Sequence, residues 1–415
     1  MKEITVFADF DFLTAPQKIG TLGYERVRGN DHFAFRYSCD WLKSNGGIIL
    51  SGDLMNVSSQ QFPRGSSNVF GFVKDSFPDR WGRLLLDRRE RILAKAERRD
   101  VHQLTNYDYL VGIEDFTRMG GLRYKSDDND DFINAGDRLP VPPVESLGAL
   151  CKACNEIEAA DERNELPDQR WLNQLIDPGS SLGGARPKAN VIGSDGKLYV
   201  AKFPSKKDLE NTELIEHFSH QLAASAGIHV ANTRTVGISK GRDLLLSERF
   251  DRTASGKRIH FASAMSLLGL DDGAGGGTGN GYLDIVDFIL RGCVDARQNL
   301  RELYRRVAFN ILFGNTDDHF RNHGFLLTAK GWTLSPAYDI NPGTKTHQCL
   351  LIDRYTEEPD INALLDACES YMLERKEADE IIEEVRTAIR DWRKTAARLQ
   401  VSAKILEPYS KRWDT

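Results

Sequence analysis

The sequence predicts a mixed α+β chain in which β-rich segments lead and helices follow. Three observations carry this: alternating apolar residues at the N-terminus, two short apolar runs flanking a turn near residue 195, and helical periodicity through most of the second half.

In MKEITVFADF, Ile4, Val6, Ala8 and Phe10 alternate with mostly polar partners, the pattern of a half-buried strand. Further β-like runs at Phe33–Tyr37, Gly47–Leu50 and Asn68–Val73, broken by Gly, Asn and Ser, predict a small β-containing unit. From Asp79 to Asp100 the chain becomes a helix-forming run with eight Arg or Lys residues, laced with Asp87, Glu90, Glu97 and Asp100 as on a solvated helix face. The acidic cluster Asp127–Asp131 and a Pro-rich stretch up to Pro143 mark an exposed connection, so a boundary falls near residue 145. Val191–Phe203 reads as a hairpin about Ser194-Asp195-Gly196. The helix after it places Leu214, Ile215, Phe218 and Leu222 on one face, with Gly227 as its stop. Beyond Leu244–Leu246 the pattern is mostly helical. The glycine-dense Gly273–Gly281 holds no basic residue and reads as a flexible connection. A last helix over Lys376–Leu399 carries an apolar stripe of Ile381, Ile382, Val385, Ile389 and Trp392.

Composition sets outer limits. With 415 residues, 40% apolar, 28% charged and 9% aromatic, the chain is an ordinary folded protein rather than a disordered segment or a disulfide-dense scaffold. A net charge of −6 gives no whole-chain case for nucleic-acid binding. Six scattered cysteines suit reduced thiols, and neither a signal-peptide core nor an uncharged run of 18 apolar residues occurs. The expectation is a cytoplasmic protein without membrane contact, in which the lone Cys151-x-x-Cys154 pair packs in a helix.

The chemistry concentrates in NILFGNTDDHFRNHGFL, Asn310–Leu326. Asp317 precedes Asn322 by five positions, the interval at which kinase catalytic loops hold a base and a metal-binding amide. In LSPAYDINP, Asp339 follows 22 residues after Asp317 and offers a second carboxylate. Mg²⁺ takes hard oxygen ligands from one or two protein groups plus phosphate, so Asn322 and Asp339 suit the ion and Asp317 is left as the base. Asp318 is a competing base, but its five-residue partner is His323, an atypical Mg²⁺ ligand. His319 orients this loop or contacts phosphate; with His323 it is spaced for a shared zinc ion, but the Glu of H-E-x-x-H is absent. Upstream, LYVAKFP ends a predicted strand at Lys202, placed to reach the phosphates of ATP, with Glu213 as its helix partner and Glu210 and Glu216 on neighbouring faces. In SSLGGARPKANV, Gly183 and Gly184 permit close backbone approach to an anion, and Arg186 and Lys188 supply charge. There is no G-x-x-x-x-G-K-[ST], no G-x-G-x-x-G, no H-R-D and no D-F-G, which disfavours an ordinary eukaryotic-type kinase.

SSLGGARPK, LYVAKFP, LLLSERFDR, GNTDDHFRN and LSPAYDINP, in that order, resemble the HipA family of serine/threonine kinases, the toxins of HipBA toxin–antitoxin modules. The resemblance covers most of the chain. It implies a two-lobed protein-kinase-like fold with an N-terminal β-containing accessory domain (1–145), an N-lobe with Gly-rich loop and hinge (146–252) and a mostly helical C-lobe (253–415). It also implies that Lys202 meets ATP phosphates, that Asp317 is the base, and that Asn322 and Asp339 bind Mg²⁺. Backbone groups of Glu248 and Phe250 then face adenine, and Tyr338 joins the nucleotide contacts. Ser181, or its neighbour Ser180, is the implied autophosphorylation site, silencing the enzyme. The implied partners are a HipB-like helix-turn-helix antitoxin, operator DNA through that antitoxin, and a protein substrate in translation such as an aminoacyl-tRNA synthetase. Asp318, where the family more often has Gly, and the glycine-dense insert are departures. Two other readings share these residues: a small-molecule kinase of the same architecture, and a catalytically idle antitoxin-binding module.

Overall fold

A computed structural model describes residues 1–136, 141–176, 184–239 and 241–414. The chain divides into two compact units, the first of Met1–Leu209 and Val236–Phe261, the second of Glu210–Thr235 and Ala262–Thr415.

In the first unit, strands β1 (Lys2–Ala8), β2 (Gln17–Val27), β3 (Asn30–Tyr37) and β4 (Leu122–Lys125) form an antiparallel sheet ordered β3-β2-β1-β4. The predicted alternation holds in β1, where Ile4, Val6 and Ala8 are buried. Arg28 and Gly29, both at positive φ (51° and 85°), make the two-residue turn that the twist of a hairpin favours between β2 and β3. Two expected strands are not formed: Gly47–Leu50 is irregular, and Gly71–Lys74 is a short helix on which Phe72 and Val73 are buried. Apolar runs this short do not distinguish a strand from a buried turn of helix.

A second sheet is ordered β5-β6-β8-β7, from β5 (Lys188–Ile192), β6 (Leu198–Lys202), β7 (Thr233–Ser239) and β8 (Arg242–Glu248). The β5–β6 hairpin is the one the Ser194-Asp195-Gly196 turn predicts. Its apolar face, Ala189, Val191, Tyr199 and Ala201, packs with Leu244 and Leu246 against Trp81 and Leu85 of the helix Arg80–Glu97 and Ile157 of the helix Leu147–Glu162. The basic helix is therefore amphipathic, with Asp79 as its N-cap accepting from the Gly82 amide at 2.7 Å. Cys151 and Cys154 are buried in this same core, which is their packing role.

The second unit is mostly helical. The helix Ala296–Phe313 packs against Arg375–Arg390, burying Leu303 and Val307 on one side and Ile381, Ile382, Val385 and Ile389 on the other. The predicted final helix is broken at Asp391; a separate helix begins at Trp392, whose ring packs edge-on against Trp413 with centroids 5.5 Å apart. A small sheet ordered β11-β10-β9, from β9 (His260–Ser263), β10 (Gly324–Thr328) and β11 (Gly331–Leu334), interrupts the helices where periodicity gave no strand signal. The glycine-dense stretch is not a free connection. Backbone hydrogen bonds tie it to Cys349 and Leu351. No helix among the described residues is long and apolar enough to cross a membrane.

Candidate active site

The candidate catalytic segment begins where the helix Ala296–Phe313 stops. Gly314 ends it in the left-handed region (φ 87°), and its carbonyl accepts from the Gly343 amide at 2.7 Å. In the irregular chain that follows, the two adjacent aspartates separate completely. The Asp317 side chain is 70% exposed, whereas that of Asp318 is 5% exposed. The Asp317 carboxylate receives Lys345 Nζ at 3.0 Å and lies 3.8 Å from Cys349 Sγ. Its backbone carbonyl accepts from the His319 amide (3.0 Å) and from Asn322 Nδ2 (3.3 Å).

Asp318 faces inward. Its Oδ2 accepts from Tyr282 Oη (2.7 Å) and Asn310 Nδ2 (2.6 Å) and meets His323 Nε2 at 2.7 Å. Burial pushes the carboxyl up, but the His323 ring and the Tyr282 hydroxyl outweigh it and hold it below its ordinary value. Asp318 is thus engaged by three groups and out of solvent, whereas Asp317 is open to an incoming acceptor. Asp317 and Asn322 are each followed by one member of the buried Asp318–His323 pair, which holds the five-residue interval in register.

Asp339 follows β11. Arg306 Nη2 donates to the Ser335 carbonyl (2.7 Å), and Ala337 exchanges main-chain bonds with His229 and Ala231 (2.8 and 2.9 Å). Tyr338 Oη then donates to the Arg321 carbonyl at 2.5 Å, binding the residue before Asp339 to the residue before Asn322. Asp339 itself has φ 57°, a left-handed conformation that costs a non-glycine residue about 1–2 kcal/mol and persists only where its surroundings impose it. Asn322 and Asp339 thus sit on two segments joined by one hydrogen bond and offer hard oxygens, a donor set that fits Mg²⁺ completed by phosphate oxygens. No group of three or more His, Cys, Asp or Glu side chains that could hold a metal occurs among the described residues, and His323 gives its Nε2 to Asp318 rather than joining His319 on a zinc ion.

Of the three glutamates considered as partners for a strand lysine, Glu213 is 1% exposed on the helix Thr212–Ser225, Glu216 lies 3.9 Å from His220, and Glu210 accepts from Tyr409 Oη at 3.2 Å.

In the first unit, Lys202 closes β6 directly opposite Lys188 of β5, so the two share a face. Lys188 is buried against Asp79, Nζ to Oδ2 2.9 Å with both side chains 3% exposed, and Arg186 makes a two-pronged pair with Asp208 at 2.7 and 2.6 Å. Both cations of the glycine-containing segment, Arg186 and Lys188, therefore have carboxylate partners. A Cβ on Gly184 (φ 90°) would stand 3.2 Å from Lys188 Nζ. Gly183, Ser180 and Ser181 lie outside the described residues. Glu248 ends β8 with its carboxylate on Lys197 (2.6 Å), and the Phe250 ring lies 5.9 Å from that of Phe261.

Sequence reasoning missed what fixes this stretch. Arg249, 4% exposed, reaches Asn190 Oδ1 (2.8 Å), the Thr117 carbonyl (2.6 Å) and Asp251, which also accepts Arg252 at 2.6 Å and the Gly120 amide at 2.8 Å. Burial raises the Asp251 carboxyl, and the two guanidinium groups more than reverse it. The alternating charges of ERFDR were the available signal.

The topology is that of a two-lobed, kinase-like α+β protein. It matches the solved structure of the Shewanella oneidensis MR-1 toxin–antitoxin complex of HipA, HipB and operator DNA with a TM-score of 0.63 at 19% identity, over 96% of this chain and 94% of that one. Residues 180–392 match the HipA-like C-terminal domain and residues 11–107 the HipA N-terminal domain: the chain belongs to the HipA family. It is 26% identical over 333 residues to Y4mE of Sinorhizobium fredii, a protein with a kinase name, covering 74% of this chain and 71% of that protein. To the serine/threonine-protein kinase toxin HipA of Shewanella oneidensis it is 26% identical over 239 residues, half (50%) of this chain and 52% of the toxin.

Proposed function

We propose that this chain is an ATP- and Mg²⁺-dependent serine/threonine protein kinase of the HipA toxin type. The observation that carries the reading is the Asp317–Asp318 pair: one carboxylate is exposed for acceptor chemistry while its neighbour is buried as the anchor of the loop. Asp317 orients the acceptor hydroxyl and takes its proton, and Lys202 holds the α- and β-phosphates with Glu213 as its partner. Backbone groups at Glu248 and Phe250 hold adenine; Gly183, Gly184 and Lys188 shape the phosphate loop; His319 and Tyr338 keep the catalytic and metal-bearing segments aligned. Asn322 and Asp339 hold the Mg²⁺, which when bound offsets charge on the transferring phosphoryl group.

The family further supports Ser181 as a self-inactivating phosphorylation site, since about −1.5 to −2 added charge beside the phosphate loop opposes ATP binding. It supports a HipB-like antitoxin as partner, contact with operator DNA through that antitoxin, and a translation component such as an aminoacyl-tRNA synthetase as substrate. Six free cysteines fit action in the reducing cytoplasm.

The test is mass spectrometry of the dephosphorylated chain and of a cell lysate after incubation with Mg-ATP. Phosphate on Ser181 or on a lysate protein is the expected result. Nucleotide binding without any transfer would replace the kinase reading with an idle antitoxin-binding module, and transfer confined to small molecules would replace the protein acceptor.

Tyr338→Phe supplies a finer check. It removes the 2.5 Å bond to the Arg321 carbonyl, a loss of about 1 kcal/mol, and should raise the Mg²⁺ concentration for half-maximal transfer about fivefold with the KM for an acceptor unchanged. A magnesium titration of the variant against the parent reads this directly.

A further inference from the structure

The glycine-dense insert does something its composition does not suggest. Its backbone runs against the segment Cys349–Leu351: the Gly276 amide donates to the Cys349 carbonyl (2.9 Å), the Leu351 amide to the Asn280 carbonyl (3.2 Å), and the Tyr282 amide to the Leu351 carbonyl (2.9 Å). Gly281 and Leu351 form a parallel bridge. At Gly275 and Gly281 glycine is needed for room rather than for a left-handed turn. Gly275 and Gly281 have extended φ values of 174° and −160°, yet a Cβ on Gly275 would come within 2.4 Å of the Cys349 carbonyl oxygen, and one on Gly281 within 2.3 Å of that of Leu351. Gly277, between them, has open space.

The segment so held carries groups that touch the proposed base. Lys345 Nζ is 3.0 Å from the Asp317 carboxylate, and Cys349 Sγ is 3.8 Å from it. Burial, and then the nearby Asp317 carboxylate, raise the Cys349 thiol above its ordinary value. On its inner side, Gln348 Nε2 reaches the Asn310 carbonyl at 3.4 Å, on the helix that also supplies the amide to Asp318. The insert, the 345–351 segment and the catalytic loop are thus layered in contact.

We propose that the insert is a positioning clamp: by fixing Cys349 and Leu351 through main-chain bonds, it sets the platform beside Asp317 on which the acceptor hydroxyl is presented. Gly275 and Gly281 are its positioning residues. The proposal rests on the kinase reading above.

The test compares Gly275→Ala, Gly281→Ala and Gly277→Ala with the parent chain. A methyl at either clamp position forces the platform away by most of an ångström, and misplacement on that scale costs about 10- to 100-fold in rate. Expected is that loss in kcat for acceptor phosphorylation in the first two variants, with the KM for ATP within about twofold and the control unaffected. Hydrogen exchange gives a reading independent of activity: the Leu351 and Tyr282 amides should be protected in the parent and lose protection in Gly281→Ala. Full transfer by Gly275→Ala and Gly281→Ala, an equal loss in Gly277→Ala, or an unprotected Leu351 amide in the parent would each overturn the clamp. A parent chain that binds nucleotide, protects these amides and transfers no phosphate would instead overturn the kinase reading, leaving the insert a structural brace.

Discussion

Asp317→Asn is expected to reduce phosphate transfer by about 10²- to 10⁴-fold while leaving ATP affinity within about twofold. The carboxamide keeps the size of the side chain and the carbonyl anchor to His319 and Asn322, but it cannot accept the acceptor's proton. Stability should barely move, because the side chain is 70% exposed and its pair with the 63%-exposed Lys345 is a surface ion pair contributing at most about 1 kcal/mol. The measurement is steady-state transfer with ATP varied, paired with thermal unfolding. A variant that keeps parental kcat would remove Asp317 from the chemistry, and one that melts early would show that the carboxylate is structural.

Asp318→Ala should show the opposite division of effects. Three buried groups, Tyr282 Oη, Asn310 Nδ2 and His323 Nε2, lose a common acceptor, and stability should fall by about 3–5 kcal/mol. Urea unfolding at neutral pH reads this loss; a change under about 1 kcal/mol would show that the network carries little. The same network predicts an acid limb. A carboxylate whose folded value lies below its ordinary 3.8 stabilises the fold fully above that value, and the contribution is lost as pH falls through the lower folded value. Stability of the parent should therefore drop more steeply below about pH 4 than that of Asp318→Asn, which has no proton to gain there.

These two variants separate adjacent residues of identical type, and there the limits of sequence reading are plain. Local signals were legible: the alternation of Ile4, Val6 and Ala8, the Ser194-Asp195-Gly196 hairpin and the helix after Asp79 each depend on neighbours within a few positions. The Asp317–Asn322 interval was legible for the same reason, since a short loop fixes it. The broken helix at Asp391 and the strands Gly324–Thr328 and Gly331–Leu334 were not, because the packing of Trp392 on Trp413 and the pairing of short strands override weak local preference.

The sequence by itself determined the α+β class, the order of motifs and the residue types available for phosphoryl transfer, because spacing along the chain encodes them. Only the tertiary structure decided which of those residues are buried, which are exposed and what each one contacts. It buried Asp318 on Tyr282 and exposed Asp317, gave Lys188 to Asp79 across 109 positions, and pressed the glycine insert onto Cys349 and Leu351. Each of those outcomes depends on desolvation and on partners remote in sequence, and neither is written in the spacing of the residues concerned.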